Sequence, residues 1–160
     1  MQTEKWGPNA WETLHFISFG YPENPDQNKK DGLLNFLYGF SKVMPCELCV
    51  KSYCFFLENL DIKKYYDSRD GVIFWVFVLH NLVNHKLGKK KIELEKVIYK
   101  YENMRSRCGN KNKPEYIECV KNLKEFSKEE SRKKAIVITE KYNDLTKEIL
   151  NVLLDKWMKY

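Results

Sequence analysis

The chain has 160 residues, of which 43% are hydrophobic and 31% charged, and this composition excludes a disordered chain and fits a domain with its own core. The formal net charge is +6, but lysines and acidic residues are mixed along most of the chain, so we expect no nucleic-acid partner. No apolar stretch reaches the roughly 20 residues of a membrane span, and no secretory signal precedes Trp6. We therefore expect a cytoplasmic protein, whose five cysteines indicate redox chemistry or metal binding.

Helical periodicity dominates the first two thirds of the chain. It predicts five helices, at about residues 9–19, 26–42, 46–59, 72–87 and 92–107. The fourth helix is apolar almost all round at its start, so we expect it at the centre of the core. Gly88 is expected to cap its C-terminus. The sequence has no alternation of strands and helices, so the predicted fold class is all-α and a thioredoxin or Rossmann fold is not expected.

The pattern changes after Arg107. Residues 108–114 are expected to form a loop, and a short helix is expected at about residues 115–126. A capping box at residues 127–130 then opens a long amphipathic helix. One apolar stripe on that helix would pack on the core or on a second chain.

A pair of cysteines, Cys46 and Cys49, is the sharpest local motif. Two cysteines three apart at a helix start can close a disulfide over one turn, and the helix N-terminus stabilises a thiolate there. The alternative is half of a zinc site completed by Cys108 and Cys119. These two are separated by ten intervening residues, unlike the usual ligand pairs, so zinc is the weaker interpretation. A CxxC isomerase or reductase is disfavoured because no strand–helix–strand frame surrounds Cys46.

Two polar clusters lie on otherwise apolar helices. Trp11 and His15 are one helical turn apart, as are His80 and Asn84 on the fourth helix. Taken singly, each fits a core aromatic or a hydrogen-bonded polar side chain; a large ligand with an aromatic ring is the functional alternative. The lysines at 86 and 89–91 fit a solvated helix end or a phosphate-binding cluster.

Three segments carry a combined pattern, namely WGPNAWETLH at residues 6–15, FSK and PCELC within residues 40–49, and Trp75 followed by LHNLVNHKLGK at residues 79–89. In this order and at this spacing they resemble the opening, active-site and flavin-binding helices of the Erv/ALR family of FAD-linked sulfhydryl oxidases. The chain begins almost at the first motif, and in this it resembles the compact versions of large cytoplasmic DNA viruses. The resemblance covers about the first two thirds of the chain.

The resemblance implies a bundle of four helices with a short fifth one, binding FAD and usually forming a homodimer. Residues 1–107 would be the FAD-binding oxidase domain, and residues 108–160 a helical C-terminal extension without a recognised counterpart. The residues that match flavin contacts of the family are Gly7, Trp11, His15, Tyr21, Trp75, His80, Asn81, Val83, Asn84, Lys86, Leu87 and Lys89.

The implied reaction forms disulfides in protein substrates. Electrons would pass from a thiol-bearing partner, such as a small CxxC redox protein, to Cys46–Cys49, then through FAD to oxygen, producing hydrogen peroxide. Cys46 would be the interchange cysteine and Cys49 the flavin-proximal one. Cys108 and Cys119 could be a structural disulfide, a shuttle pair or free thiols, and Cys54 is expected to be a small buried hydrophobe. A viral protein would act in the host cytoplasm or in the virion.

Overall fold

The computed structural model describes residues 1–104, 107–108, 119–120 and 128–160. Within them lie six α-helices, α1 (Thr3–Gly20), α2 (Gln27–Val43), α3 (Glu47–Asn59), α4 (Arg69–Lys86), α5 (Leu94–Glu102) and α6 (Lys128–Met158). A 3₁₀ turn, Ile62–Lys64, precedes α4, and two short strands, β1 (Arg107–Cys108) and β2 (Cys119–Val120), follow α5. The predicted all-α class is confirmed, since the strands add only one two-residue antiparallel pair.

The bounds of α2, α3 and α4 lie close to the predicted ones because each helix has a local start signal. Asp26 caps α2 by accepting a hydrogen bond from the Lys29 N–H at 2.8 Å, and Ser68 caps α4 through the Gly71 N–H at 3.1 Å. The start of α1 was predicted too late. The helix starts at Thr3 and continues through Pro8. Proline lacks a backbone N–H, so the helix loses only the one hydrogen bond that this N–H would donate.

Two predictions after α4 are wrong in part. Helix α5 ends at Glu102. Arg107–Cys108 is a strand, whereas the prediction placed the end of the fifth helix at Arg107 and a loop from Cys108. The short helix predicted at about residues 115–126 lies outside the described residues except for Cys119–Val120, which also form a strand. Pairing of the two strands with each other overrides local helix propensity at these positions. The predicted capping box starts at residue 127, which is likewise outside the described residues.

Helix α4 occupies the centre of the core, as predicted. Residues 72–79 are all buried, and α1 packs along this helix. Trp75 is fully buried, and its Nε1–H donates to the Leu60 carbonyl oxygen at 2.7 Å. Because this one helix is surrounded by its neighbours on all faces, it fixes the position of the side chains near its C-terminal end.

The described chain forms two units, residues 1–92 with 142–160, and residues 93–141. In the first unit, the C-terminal part of α6 packs on the helical core: Tyr142 stacks on Phe74 with ring centroids 4.2 Å apart. In the second unit, the buried Glu102 forms an ion pair with Lys134 at 3.1 Å. The division into functional domains near residue 107 stays a prediction. No helix among the described residues is long and apolar enough to cross a membrane.

Candidate redox site

The sequence motif at the start of α3 forms a disulfide between Cys46 and Cys49, with Cα atoms 5.2 Å apart. Cys46 is the N-cap of α3, and its sulfur accepts a hydrogen bond from the Cys49 N–H at 3.3 Å. Both cysteines are half-buried, while the neighbouring Val43 and Leu48 are exposed. The helix start therefore places an N–H donor and the positive end of the helix dipole at Cys46, within reach of a protein substrate.

A cation from α4 reaches the same part of α3. The Lys86 Nζ donates to the Ser52 Oγ at 2.7 Å and to the Leu48 carbonyl oxygen at 3.3 Å. The Ser52 hydroxyl is in turn placed 3.1 Å from the carbonyl oxygens of Leu48 and Cys49. Burial lowers the pKa of the Lys86 ammonium. Lys86, predicted as a flavin contact, thus ties α4 to the helix that carries the cysteines.

Side chains from the two predicted polar clusters meet between α1 and α4. Trp11 stacks on His80 with ring centroids 4.1 Å apart and planes 2° from parallel. The His15 Nε2 lies 3.0 Å from the His80 Nδ1, so one ring nitrogen donates and the other accepts. Burial, together with the charge of Lys89, lowers the pKa of His80 to about 4. His80 is therefore neutral at pH 7.

The end of α4 folds back on itself in a Schellman motif. Gly88 has a φ of 64°, and the N–H of Lys89 donates to the Asn84 carbonyl oxygen at 2.8 Å, which confirms Gly88 as the predicted cap. The buried Asn81 carboxamide then pairs with the backbone of Ile92, accepting from its N–H at 2.8 Å and donating to its carbonyl oxygen at 3.2 Å. Asn81 thereby holds the segment that follows the helix.

The other predicted site residues differ in how far their side chains are buried. Gly7 and Tyr21 are buried, Val83 is half-buried, and Leu87 and Lys89 are exposed. The Tyr21 carbonyl oxygen accepts from the Arg69 Nε–H at 2.5 Å. Burial, with the nearby Asp67, raises the pKa of its phenol. Cys54, expected to be buried, is a half-buried free thiol.

Two residues close to the Cys46–Cys49 pair were absent from the predicted site. Ser52, one turn after Cys49, is a buried polar residue on a largely apolar helix, and that position was a usable signal. Thr3 lies beside both sulfurs, and nothing in the local sequence indicates this contact. Within the part of the chain that the structure describes, no group of three or more His, Cys, Asp or Glu residues could hold a metal ion. The zinc alternative therefore finds no support.

A family model described as the Erv1 / Alr family matches residues 8–102, from the first turns of α1 to the end of α5. This chain belongs to the Erv1/Alr family. The match contains the Cys46–Cys49 disulfide and the Trp11–His80 stack. The resemblance carried by the three sequence motifs is thereby confirmed at the level of the family.

The Erv1/Alr relatives come from viruses and from eukaryotes. A probable FAD-linked sulfhydryl oxidase of Acanthamoeba polyphaga mimivirus is 30% identical over 61% of this chain and 69% of its own length. The mitochondrial FAD-linked sulfhydryl oxidase of Schizosaccharomyces pombe is 32% identical over 52% of this chain. The chain spans only 46% of that yeast relative and 65% of a putative FAD-linked sulfhydryl oxidase of invertebrate iridescent virus 3.

The Erv1/Alr fold is also found among solved structures. The crystal structure of the yeast Erv1 core aligns with a TM-score of 0.59 and 28% identity, covering 63% of this chain and 84% of that one. The FAD-binding domain of Saccharomyces cerevisiae Erv1 aligns with a TM-score of 0.55 and 31% identity. These similarities confirm the predicted helical bundle, and the family match ends at residue 102.

Proposed function

We propose that this chain is an FAD-linked thiol oxidase in which Cys46 and Cys49 accept electrons from protein thiols. The enzyme class and the cofactor follow from family membership and from the names of the relatives, which are FAD-linked sulfhydryl oxidases. The observation that carries the assignment to this pair is the disulfide at the N-terminus of α3, with Cys46 as helix cap.

The surroundings of α1 fit a large polar ligand with aromatic rings. The Trp6 Nε1 and the Tyr21 hydroxyl are buried without a hydrogen-bond partner among the described residues, although buried polar groups are normally paired. Trp11 and His80 stack on each other, so we propose that the ring faces turned away from this stack contact the aromatic rings of the ligand. We propose as FAD contacts the set Gly7, Trp11, His15, Tyr21, Trp75, His80, Asn81, Val83, Asn84, Lys86, Leu87 and Lys89. When bound, FAD supplies the acceptor for the two electrons that the cysteine pair receives.

The chain's own residues carry out thiol–disulfide exchange. A substrate thiolate attacks the Cys46 sulfur, the Cys46–Cys49 bond breaks, and Cys49 leaves as a thiolate. The second substrate thiol attacks the mixed disulfide, and Cys46 leaves in turn. The substrate loses two electrons and two protons, and the cysteine pair gains them. The Cys49 N–H at the Cys46 sulfur stabilises Cys46 as a leaving thiolate, so the second exchange is favoured.

We propose oxygen as the final acceptor, with hydrogen peroxide as product, and a small CxxC redox protein as thiol substrate. The exposed side chains of Val43 and Leu48 beside the disulfide suit a protein surface better than a small thiol. We also propose a homodimer acting in the cytoplasm, or in a virion or host cytoplasm if the chain is viral, as the viral relatives suggest.

The test is the visible absorption spectrum of the purified protein, followed by oxygen uptake with dithiothreitol as reductant. We expect flavin absorption and oxygen consumption that disappears in Cys49→Ser. Cys54→Ser is the matched control, because Cys54 lies on the same helix as a free thiol, and it should keep the activity. A colourless protein that does not take up FAD would contradict the cofactor, and full activity in Cys49→Ser would contradict the proposed pair.

Cys108 and Cys119 form a second candidate pair. They are directly opposite each other in the antiparallel pairing of β1 and β2, where Cα atoms are about 5 Å apart, a distance that a disulfide can span. We propose that they form a disulfide with a structural or shuttle role. Mass spectrometry after thiol alkylation tests this: the pair should be protected without reductant. Two alkylated cysteines under oxidising conditions would identify them as free thiols.

A further inference from the structure

Thr3 is the first residue of α1 and lies against the redox disulfide. Its Oγ1 is 3.8 Å from the Cys49 sulfur and 4.0 Å from the Cys46 sulfur, across more than 40 residues of sequence. The side chain is half-buried. The starts of α1 and α3 therefore meet at the same sulfur pair, and the positive ends of two helix dipoles converge there.

The orientation of Thr3 is set by packing on its own helix. A Cβ placed on Gly7, one turn further along α1, would lie 3.5 Å from the Thr3 Cγ2, so the Thr3 methyl group lies over Gly7. A β-branched side chain on a helix has few allowed χ1 rotamers. With its methyl group over Gly7, Thr3 directs its hydroxyl towards the sulfurs.

The chemistry of the sulfurs decides what that hydroxyl does. A disulfide sulfur is a weak hydrogen-bond acceptor, whereas a thiolate is charged and a strong one. The Cys46 sulfur already receives the Cys49 N–H at 3.3 Å. For the Cys49 sulfur, the Thr3 hydroxyl is the one donor among the contacts described for this site. Its hydrogen bond should therefore become stronger when the disulfide opens and Cys49 becomes a thiolate.

We infer that Thr3 is a third residue of the redox centre, whose hydroxyl donates a hydrogen bond to the Cys49 thiolate and thereby raises the oxidising power of the Cys46–Cys49 pair. This inference rests on the proposed redox role of that pair. The exchange itself is unchanged: a substrate dithiol becomes a disulfide and passes two electrons and two protons to the cysteines. Thr3 keeps its proton and stabilises the reduced form more than the disulfide, so the equilibrium favours oxidation of the substrate.

The experiment compares Thr3→Val and Thr3→Ser with the wild type. Valine keeps the branched shape and removes the hydroxyl; serine keeps the hydroxyl. The purified proteins are equilibrated without oxygen in glutathione buffers of graded ratio, quenched with acid, and analysed by alkylation and mass spectrometry. For Thr3→Val we expect the dithiol–disulfide equilibrium to shift about tenfold towards the disulfide, which corresponds to a potential about 30 mV lower. Thr3→Ser should restore the wild-type equilibrium.

A second readout isolates the thiolate. In a Cys46→Ser background, the rate of Cys49 alkylation by iodoacetamide across pH reports the thiolate fraction, and Thr3→Val should lower that fraction at neutral pH by about tenfold. Thr13→Val is the matched control. Thr13 is an exposed threonine of the same helix whose hydroxyl donates to the Asn9 carbonyl oxygen at 2.8 Å, so neither readout should change.

The outcomes separate the role of Thr3 from the redox role of the Cys46–Cys49 pair. An unchanged equilibrium and thiolate fraction in Thr3→Val overturn the role of Thr3, and so does a Thr3→Ser protein that behaves like Thr3→Val. If the Cys46–Cys49 disulfide of the wild type does not exchange with glutathione at any ratio, the proposed redox pair itself is wrong. Oxygen uptake that persists in Cys49→Ser would lead to the same conclusion about the pair.

Discussion

The Trp11 ring covers one face of the His80 ring, with 4.1 Å between the centroids and the two planes 2° from parallel. The edge of the same imidazole faces His15, whose Nε2 is 3.0 Å from the His80 Nδ1. An imidazole held between an indole and a second histidine is poorly hydrated, and protonation would place a charge in that environment. This is why the pKa of His80 falls from 6.5 to about 4.

The lowered pKa of His80 predicts a pH dependence of stability. Below pH 6.5 the unfolded chain protonates this residue while the folded chain does not, so the contribution of the neutral imidazole is complete above pH 6.5 and is lost as the pH falls to about 4. The loss should be roughly 3 kcal/mol at most, since each tenfold change in proton affinity is worth about 1.4 kcal/mol.

Urea denaturation between pH 4 and 7 measures this effect for wild type and His80→Asn. The free energy of unfolding of the variant should vary less with pH over that window. His85→Asn is the control, because His85 is an exposed histidine of the same helix, and it should keep the wild-type slope. An identical slope in His80→Asn would mean that other groups cause the pH dependence.

Gly71 in the first turn of α4 is predicted to be irreplaceable. A Cβ at this position would lie 2.1 Å from the Tyr65 carbonyl oxygen, a backbone atom, so the chain before α4 would have to move. We expect Gly71→Ala to lower the free energy of unfolding by about 3 kcal/mol, a value typical of overpacking. Thermal and urea denaturation measure it.

The control for Gly71→Ala is a glycine with open surroundings. A Cβ on Gly39 in α2 would meet nothing within 4 Å, so Gly39→Ala should stabilise the protein by about 0.5–1 kcal/mol. Equal effects of the two substitutions would contradict the close approach of Tyr65 to α4.

The C-terminal part of α6 is predicted to stabilise the unit formed by residues 1–92 and 142–160. Trp157 packs against Phe55 and Phe56 of α3, with ring centroids 5.1 and 5.4 Å apart, and lies 5.5 Å from the Lys86 Nζ. Because Trp157 is half-buried, Trp157→Ala should cost about 2 kcal/mol, less than the 3–5 kcal/mol of a fully buried tryptophan. Denaturation curves give the value.

Val152→Ala serves as the comparison for Trp157→Ala, since Val152 is an exposed apolar residue of the same helix. It should change the free energy of unfolding by less than about 0.5 kcal/mol. A Trp157→Ala protein as stable as Val152→Ala would show that the C-terminal segment does not stabilise the helices that carry the cysteines.

The ion pair of Glu102 and Lys134 is predicted to matter for the unit formed by residues 93–141. Glu102 is buried, and the Lys134 Nζ lies 3.1 Å from its carboxylate. Lys134→Met removes the positive charge of this ion pair and should destabilise the unit by about 3 kcal/mol. Hydrogen exchange of α5 amides is the measurement, with the exposed Lys147→Met as control. Unchanged protection of α5 in Lys134→Met would contradict the prediction.

The sequence alone was enough to predict the all-α class, the approximate bounds of α2, α3 and α4, and the Gly88 cap. It also placed the Cys46–Cys49 pair at a helix start. These features depend on residues within one or two turns of each other, such as the caps at Asp26 and Ser68. Hydrophobic period and capping chemistry are local, and so they can be read along the chain.

Other features were decided by tertiary structure. The sequence does not indicate that Asn81 pairs with the Ile92 backbone, that Lys86 reaches Ser52, or that Cys119 belongs to a strand. Nor does it indicate that Thr3 lies beside the sulfurs or that Trp157 packs on α3. Each of these contacts joins parts of the chain that only the packing of helices and strands brings together, and local propensity carries no information about which distant side chain will be the neighbour.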